Sequence, residues 1–258
     1  MWVAGSVGEN RMKLGTRRLR VASLMLLTTL VAASCNAQPL RAFSDSILAE
    51  PGNFVPPPPG QAWHGDEIKA KINQLPTDDP NSKVYVAGWS AQPGQTMVSH
   101  SMRAQLNSVG SAAFDQPYKI GLFSFGTNDA ATYSTGVAGS YTSAIGKVQA
   151  EFWIQKSVDA GATCVIWVLG RQNNPAFNGN ALATALYNAW MLDFNNYLRS
   201  INGTRTYNGK SYLFTTVDWG ALAINNPANT MPDGQHPSVQ GARALGDLVY
   251  AQALRCPA

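Results

Sequence analysis

The sequence predicts an α/β protein whose single domain is built on a five-stranded parallel β-sheet. Two observations predict this architecture and a third bounds it. After residue 36, short β-branched or apolar runs alternate with longer stretches whose apolar residues recur at three- and four-residue spacing, the pattern of successive βα units. Each short run is apolar enough to be covered by helices on both faces. With 258 residues, 45% of them hydrophobic and 13% charged, the chain has enough apolar side chains for one substantial core, and no internal repeat divides it.

The first 36 residues stand apart from this pattern. Arg11, Lys13, Arg17, Arg18 and Arg20 precede the apolar run VASLMLLTTLVAA at 21–33, and small residues follow it, which is the order of an export signal. The run is shorter than the ~20 residues that a membrane-spanning helix needs. Residues 1–36 are therefore expected to be a signal peptide, for which Met12 is an alternative start, and 37–258 the folded domain of an exported protein. Such a protein would be extracellular, periplasmic or held at the cell surface. Val31-Ala-Ala-Ser-Cys35 resembles a bacterial lipobox, in which the cysteine carries the lipid, whereas cleavage after Ala37 would release a soluble form lacking Cys35.

The five cations against Glu9 account for the whole formal net charge of +4, and from residue 36 onward 14 basic residues face 14 acidic ones. A chain so balanced has no electrostatic footprint for nucleic acid or for an anionic membrane surface, so membrane contact is expected only through a lipid on Cys35. Cys164 and Cys256 remain. In an oxidising compartment they can form a disulfide, and two buried free thiols are the alternative.

Taken in order, strands are expected at 40–44, 83–89, 118–125, 163–169 and 211–217. Amphipathic helices are expected at 67–75, 96–109, 140–160, 182–201 and 238–254, the last with Ser238 as its N-cap behind Pro237. The prolines of PGNFVPPPPG at 51–60 cannot support ladder or helical hydrogen bonds, so this segment reads as a loop or polyproline stretch. Segments 172–180 and 220–234 also read as long loops.

In a parallel sheet, ligands bind at the carboxyl ends of the strands, and four of the five strand ends carry reactive residues. The first strand runs into Phe43-Ser-Asp-Ser-Ile-Leu48, where a serine hydroxyl at the rim could be deprotonated by an imidazole and attack an ester. Strand-end serines also serve simply as turn residues. Beyond the second strand, Pro93-Gly-Gln-Thr96 precedes a helix; a glycine lets the main chain approach a ligand, and amides at a helix start can donate to a developing negative charge. The third strand ends in Phe125-Gly-Thr-Asn-Asp129, whose amide side chain could supply an oxyanion-hole donor. After the fifth strand, Pro232-Asp-Gly-Gln-His-Pro237 sets a carboxylate three positions from an imidazole in a tight loop, so that one ring nitrogen can meet the Asp while the other faces the serine. His64 and His100 lack such a context and read as surface or packing residues.

Together these pieces resemble the SGNH (GDSL-type) hydrolase family. Ser44-Asp-Ser-Ile47 looks like its nucleophile block, with Ser44 where glycine is usual, and Gly94, Gly126-Thr-Asn-Asp129 and Asp233-Gly-Gln-His236 look like the other three blocks. The resemblance spans about residues 40–250. It implies a three-layer α/β/α sandwich, flavodoxin-like, with a five-stranded parallel sheet and no metal or organic cofactor. It also implies Ser46 as nucleophile, His236 as general base and Asp233 as the residue that orients the imidazole. The oxyanion hole would comprise the Ser46 amide, the Gly94 amide and the Asn128 side chain. Reading Gly88-Trp-Ser90 as the nucleophile block instead leaves too few residues before Gly126 for the intervening helix, strand and helix. With the site at the carboxyl edge, Cys164 opens its strand at the opposite edge, and the last helix should carry Cys256 to that same end.

The activity expected is hydrolysis of carboxylic esters, on a small-molecule or glycan ester, through an acyl-enzyme on Ser46. Two alternatives stand beside it: acyl transfer to or deacetylation of extracellular glycans by the same triad, and a catalytically silent surface protein that binds glycans through Trp63, Trp89 and Trp153. Loop composition does not encode acyl-chain length, and the oligomeric state is not readable.

Overall fold

The computed structural model describes residues 37–49, 64–74, 83–91, 93–99, 117–136, 141–177 and 179–257. The expected export segment with Cys35, the proline-rich segment, Trp63, His100 and most of the helix expected at 96–109 lie outside the described residues.

Among the described residues the sheet has six strands: β1 (Gln38–Ser44), β2 (Val84–Ala91), β3 (Ile120–Ser124), β4 (Cys164–Leu169), β5 (Gly203–Tyr207) and β6 (Lys210–Asp218). Their order is β2-β1-β3-β4-β6-β5. Five of them run parallel and coincide with the five apolar runs of the sequence. The sixth, β5, is an antiparallel edge strand that the sequence analysis passed over. Gly203-Thr-Arg-Thr-Tyr207 has no apolar run, because an edge strand need not be covered on both faces. The signal that marks it is the Asn208-Gly209 turn, whose φ values of 48° and 73° suit the two-residue hairpin connection to β6.

Helices cover both faces of the sheet. They are α1 (His64–Ile72), α2 (Thr127–Ser134), α3 (Ser143–Asp159), α4 (Ala181–Ser200), α5 (Trp219–Asn225) and α6 (Val239–Ala253), and helical backbone also begins at 97. Side-chain alternation along the strands sorts the core into two chemically different layers. Leu40, Ala42, Leu122, Ile166 and Val168 face α1, α5 and α6 in an aliphatic layer. Phe43, Phe123, Val165 and Trp167 face α3 and α4 in an aromatic one. Phe43, Phe123 and Trp167 are in register across β1, β3 and β4 and stack with centroids 5.2 Å apart at each step, every pair contributing about 0.5–1.5 kcal/mol beyond burial. The result is the α/β/α sandwich expected.

Two helices replace expected irregular structure. α2 opens directly on the residues after β3, and α5 occupies the first part of the segment read as a loop at 220–234. Asp218 caps α5 by accepting the Ala221 N–H at 2.8 Å, while Trp219 and Ala223 are buried on its inner face. Ser238 caps α6 by accepting the Gly241 N–H at 3.1 Å.

Cys164 and Cys256 are disulfide-bonded, with Cα atoms 5.6 Å apart. The bond ties the chain beyond α6 to the first residue of β4, at the amino edge of the sheet. Because it closes a sequence separation of 92 residues, it restricts the unfolded chain strongly. Replacing both cysteines with alanine is expected to lower the unfolding free energy by about 2–4 kcal/mol, measured by urea denaturation. An unchanged midpoint at an unchanged slope would show that the bond contributes no stability.

Candidate active site

The carboxyl ends of β1 and β3 set the first part of the site. Asp45 N–H donates to Ser124 O at 3.0 Å, which extends the β1–β3 ladder by one bond. The Asp45 carboxylate then accepts the Ile47 N–H at 3.0 Å and turns the chain into a single 3₁₀ turn, Ser46–Leu48. Ser46 thereby stands at the rim, 8% exposed. Ser44, in place of the usual glycine, is fully buried; its hydroxyl donates to Asp45 O at 3.1 Å, and its φ lies outside the left-handed region. The turn therefore does not require glycine there.

The second part comes from the loop between α5 and α6. Gly234 adopts φ 69° and its N–H donates to Met231 O, while a side chain at this position would meet Pro175 at 2.6 Å. Asp233 Oδ1 accepts the N–H groups of Gln235 and His236 at 2.9 and 3.0 Å. Its other oxygen, Oδ2, lies 2.7 Å from His236 Nδ1. His236 Nε2 in turn lies 2.9 Å from Ser46 Oγ. An ionised carboxylate can only accept, so Nδ1 carries the proton and Nε2 presents its lone pair to the Ser46 hydroxyl. Burial raises the Asp233 pKa, but the His236 ring and the two backbone N–H groups outweigh it and hold the carboxyl well below its ordinary range.

The third part joins the turn after β2 to the start of α2. Gly94 is exposed with φ 69°, and the space beside its Cα is open. Asn128 Nδ2 donates to Gln95 O at 3.0 Å and carries a second hydrogen. The structure thus brings Ser46, Asp233 and His236 into one hydrogen-bonded chain and ties Asn128 to the turn that contains Gly94. Ser90 lies within β2, paired in register with Phe43. Trp153 is buried in the aromatic layer and Trp89 donates its Nε1–H to Leu48 O at 2.7 Å. Among the described residues no group of His, Cys, Asp or Glu side chains is arranged to hold a metal ion.

No family model and no curated protein matches the sequence. Solved structures do match the fold. An acetyl xylan esterase aligns at 13% identity with a TM-score of 0.54, covering 83% of this chain and 98% of that one. An acetylxylan esterase from Geobacillus stearothermophilus aligns at 14% identity and TM-score 0.51, covering 86% and 96%. A lipase from a goat rumen metagenome aligns at 16% identity and TM-score 0.55, covering 83% and 97%. The likeness establishes a shared α/β/α fold along most of the chain.

Three residues at the site have roles that sequence reasoning missed. Arg171, just after β4, donates from Nη1 to Gly234 O and so braces the loop that carries Asp233 and His236. The carboxyl end of β4 was the one strand end without an assigned group, and a cation there was the available signal. Asp45 and Asp129 are the other two, both almost completely buried. Burial pushes each up to about 7. For Asp45 the Ile47 N–H pulls back, the Asp129 charge adds to the rise and His236 opposes it.

This buried acid makes stability depend on pH in a defined direction. Asp45 has a pKa of about 7 in the folded chain against an ordinary 3.8, so the folded state releases the proton less readily than the unfolded one. Ionised Asp45 therefore costs stability progressively as pH rises through that window. Asp45→Asn keeps an acceptor for Ile47 and removes the charge. It is expected to gain on the wild type as pH rises, by on the order of a few kcal/mol, read as the difference in urea midpoints between about pH 5 and about pH 8. A difference that does not change with pH would show that the carboxylate ionises without penalty.

Proposed function

We propose that the chain is a serine esterase of the SGNH (GDSL) type that hydrolyses carboxylic esters through an acyl-enzyme on Ser46. The observation that carries this reading is the continuous hydrogen-bonded chain from Asp233 through His236 to Ser46 Oγ, with its 2.7 and 2.9 Å links. Ser46 Oγ attacks the ester carbonyl carbon while its proton passes to His236 Nε2. Asp233, ionised and bonded to Nδ1, stabilises the imidazolium that forms. The negative charge on the former carbonyl oxygen is met by the amides of Ser46 and Gly94 and by the Asn128 side chain. His236 then returns the proton to the departing alcohol. Water repeats the sequence on the acyl-enzyme, releasing the acid and restoring the serine.

The structural neighbours act, by their names, on acetylated xylan and on lipids. With them, O-acetylated glycans are the first natural substrates to test. The Cys164–Cys256 bond suits an oxidising compartment and supports export, and Cys35 is the residue proposed to carry a lipid.

Ser46→Ala is expected to lower kcat on a short-chain aryl ester by at least about 1,000-fold with the thermal midpoint little changed, and Asp233→Asn to lower it by a comparable factor. Wild-type activity in Ser46→Ala would end the assignment.

A further inference from the structure

Asn128 and Asp129 are consecutive residues in the first turn of α2, and both reach across to the turn that follows β2. Asn128 holds Gln95 O from one side. Asp129 holds the next part of the same turn: Met97 N–H donates to Oδ1 at 3.1 Å and to Oδ2 at 3.0 Å, and the Val98 N–H contributes as well. The turn is also closed on itself, through reciprocal bonds between Thr96 and Ser99 at 3.2 Å, but these fix only its internal shape. Its position relative to α2 rests on bonds that span 32 and 33 residues of sequence. α2 itself is set on β3 by Gly126, whose φ of 115° makes the sharp strand-to-helix turn and where a Cβ would come within 3.1 Å of Phe194 and 3.2 Å of Trp190.

Asp129 is 1% exposed, and burial is the largest influence on it, opposed by the Met97 and Val98 amides. A buried carboxylate is a poor choice where stability alone is at stake, because its desolvation offsets much of what its hydrogen bonds contribute. Its geometry serves another purpose. Two oxygens receiving one N–H from both sides leave that amide little freedom to slide. An oxyanion hole depends on donors that are fixed before charge develops.

We propose that Asp129 is a positioning residue for the oxyanion hole, gripping the Met97 N–H so that the Gly94 amide stays in register with the Asn128 side chain. The proposal rests on the esterase reading above. Asp129 touches no substrate; it acts through the turn.

The test compares Asp129→Asn with wild type on an aryl ester and on the matching thionoester. Sulfur is larger than oxygen and a weaker hydrogen-bond acceptor, so a well-formed hole favours the oxygen ester, and the ratio of the two kcat/KM values reports the hole itself. Asp129→Asn is expected to lower kcat on the oxygen ester by about tenfold or more with KM little changed. Its ceiling is the about 100- to 1,000-fold that loss of a whole donor costs. The ester-to-thionoester ratio is expected to fall by a similar factor. Equal losses on both substrates, or none, would overturn the proposal. Met97→Pro gives a second reading, since it deletes the donor at a first helical position that tolerates proline. If neither variant folds, the contact belongs to the stability of the fold and the positioning role is refuted. The two levels separate cleanly. Full activity in Ser46→Ala sinks the esterase reading and this inference with it, whereas an inactive Ser46→Ala beside an unchanged ratio in Asp129→Asn sinks this inference alone.

Discussion

Every contact at the site depends on the direction of the sheet. Because β1, β2, β3, β4 and β6 run parallel, the turns and loops that follow them open onto one edge, so residues as far apart as Ser46 and His236 can meet. The direction is enforced by the core: the aromatic ladder of Phe43, Phe123 and Trp167 requires β1, β3 and β4 to hold a single register. A slip of one residue would send these rings to the aliphatic face and their aliphatic neighbours to the aromatic one. The same slip would break the bond from Asp45 N–H to Ser124 O and move the Ser46 turn off the rim. Packing beneath the sheet and chemistry at its edge are therefore one constraint.

The three acids at that edge divide according to solvent. Asp233 is exposed, and the His236 ring together with the amides of Gln235 and His236 keeps it ionised, which is what a partner to an imidazolium needs. Asp45 and Asp129 are buried and repel one another, which makes them poor carriers of charge but rigid acceptors. Each shapes backbone: Asp45 forms the turn bearing Ser46 through Oδ1, and both oxygens of Asp129 hold the turn that contains Gly94. In the proposed reaction the charged role falls to the exposed carboxylate, while the buried ones hold backbone amides.

This division explains which parts were legible in the sequence. The five parallel strands were, since each is rich enough in apolar residues to be covered by helices. The Asp-x-x-His spacing at 233–236 was also legible, because both partners lie in one short loop and three residues suffice to close the contact. β5 was not, because Gly203-Thr-Arg-Thr-Tyr207 carries no apolar run and pairs antiparallel with β6 through a two-residue turn. α2 and α5 were read as turn or loop because they are short; Asp218 caps α5, whereas α2 has no side-chain bond at its N-cap and relies on tertiary contacts. The roles of Asp129 and Arg171 lie between segments distant in sequence, whereas Asp45 acts locally on the Ile47 N–H and only its burial was hidden. Asp129 stood in a quoted block, yet nothing in the string of letters pairs it with the Met97 amide.

The disulfide completes the geometry from the opposite edge. α6 begins three residues after His236 and has 15 residues, a length of about 22 Å. β4 has 6 residues, about 20 Å. Helix and strand therefore span the sheet side by side with matching lengths, one end of α6 at the imidazole and the other at Cys256, bonded to the start of β4. At the near end, Gly241 lets α6 approach Asn229 so closely that a side chain there would overlap its carbonyl oxygen. Bonded to β4 beyond its far end and packed without a side chain's clearance at its near one, α6 has little freedom to slide along its axis. Such a slide is the motion that would draw His236 away from Ser46, so the covalent link at the amino edge resists displacement at the carboxyl edge.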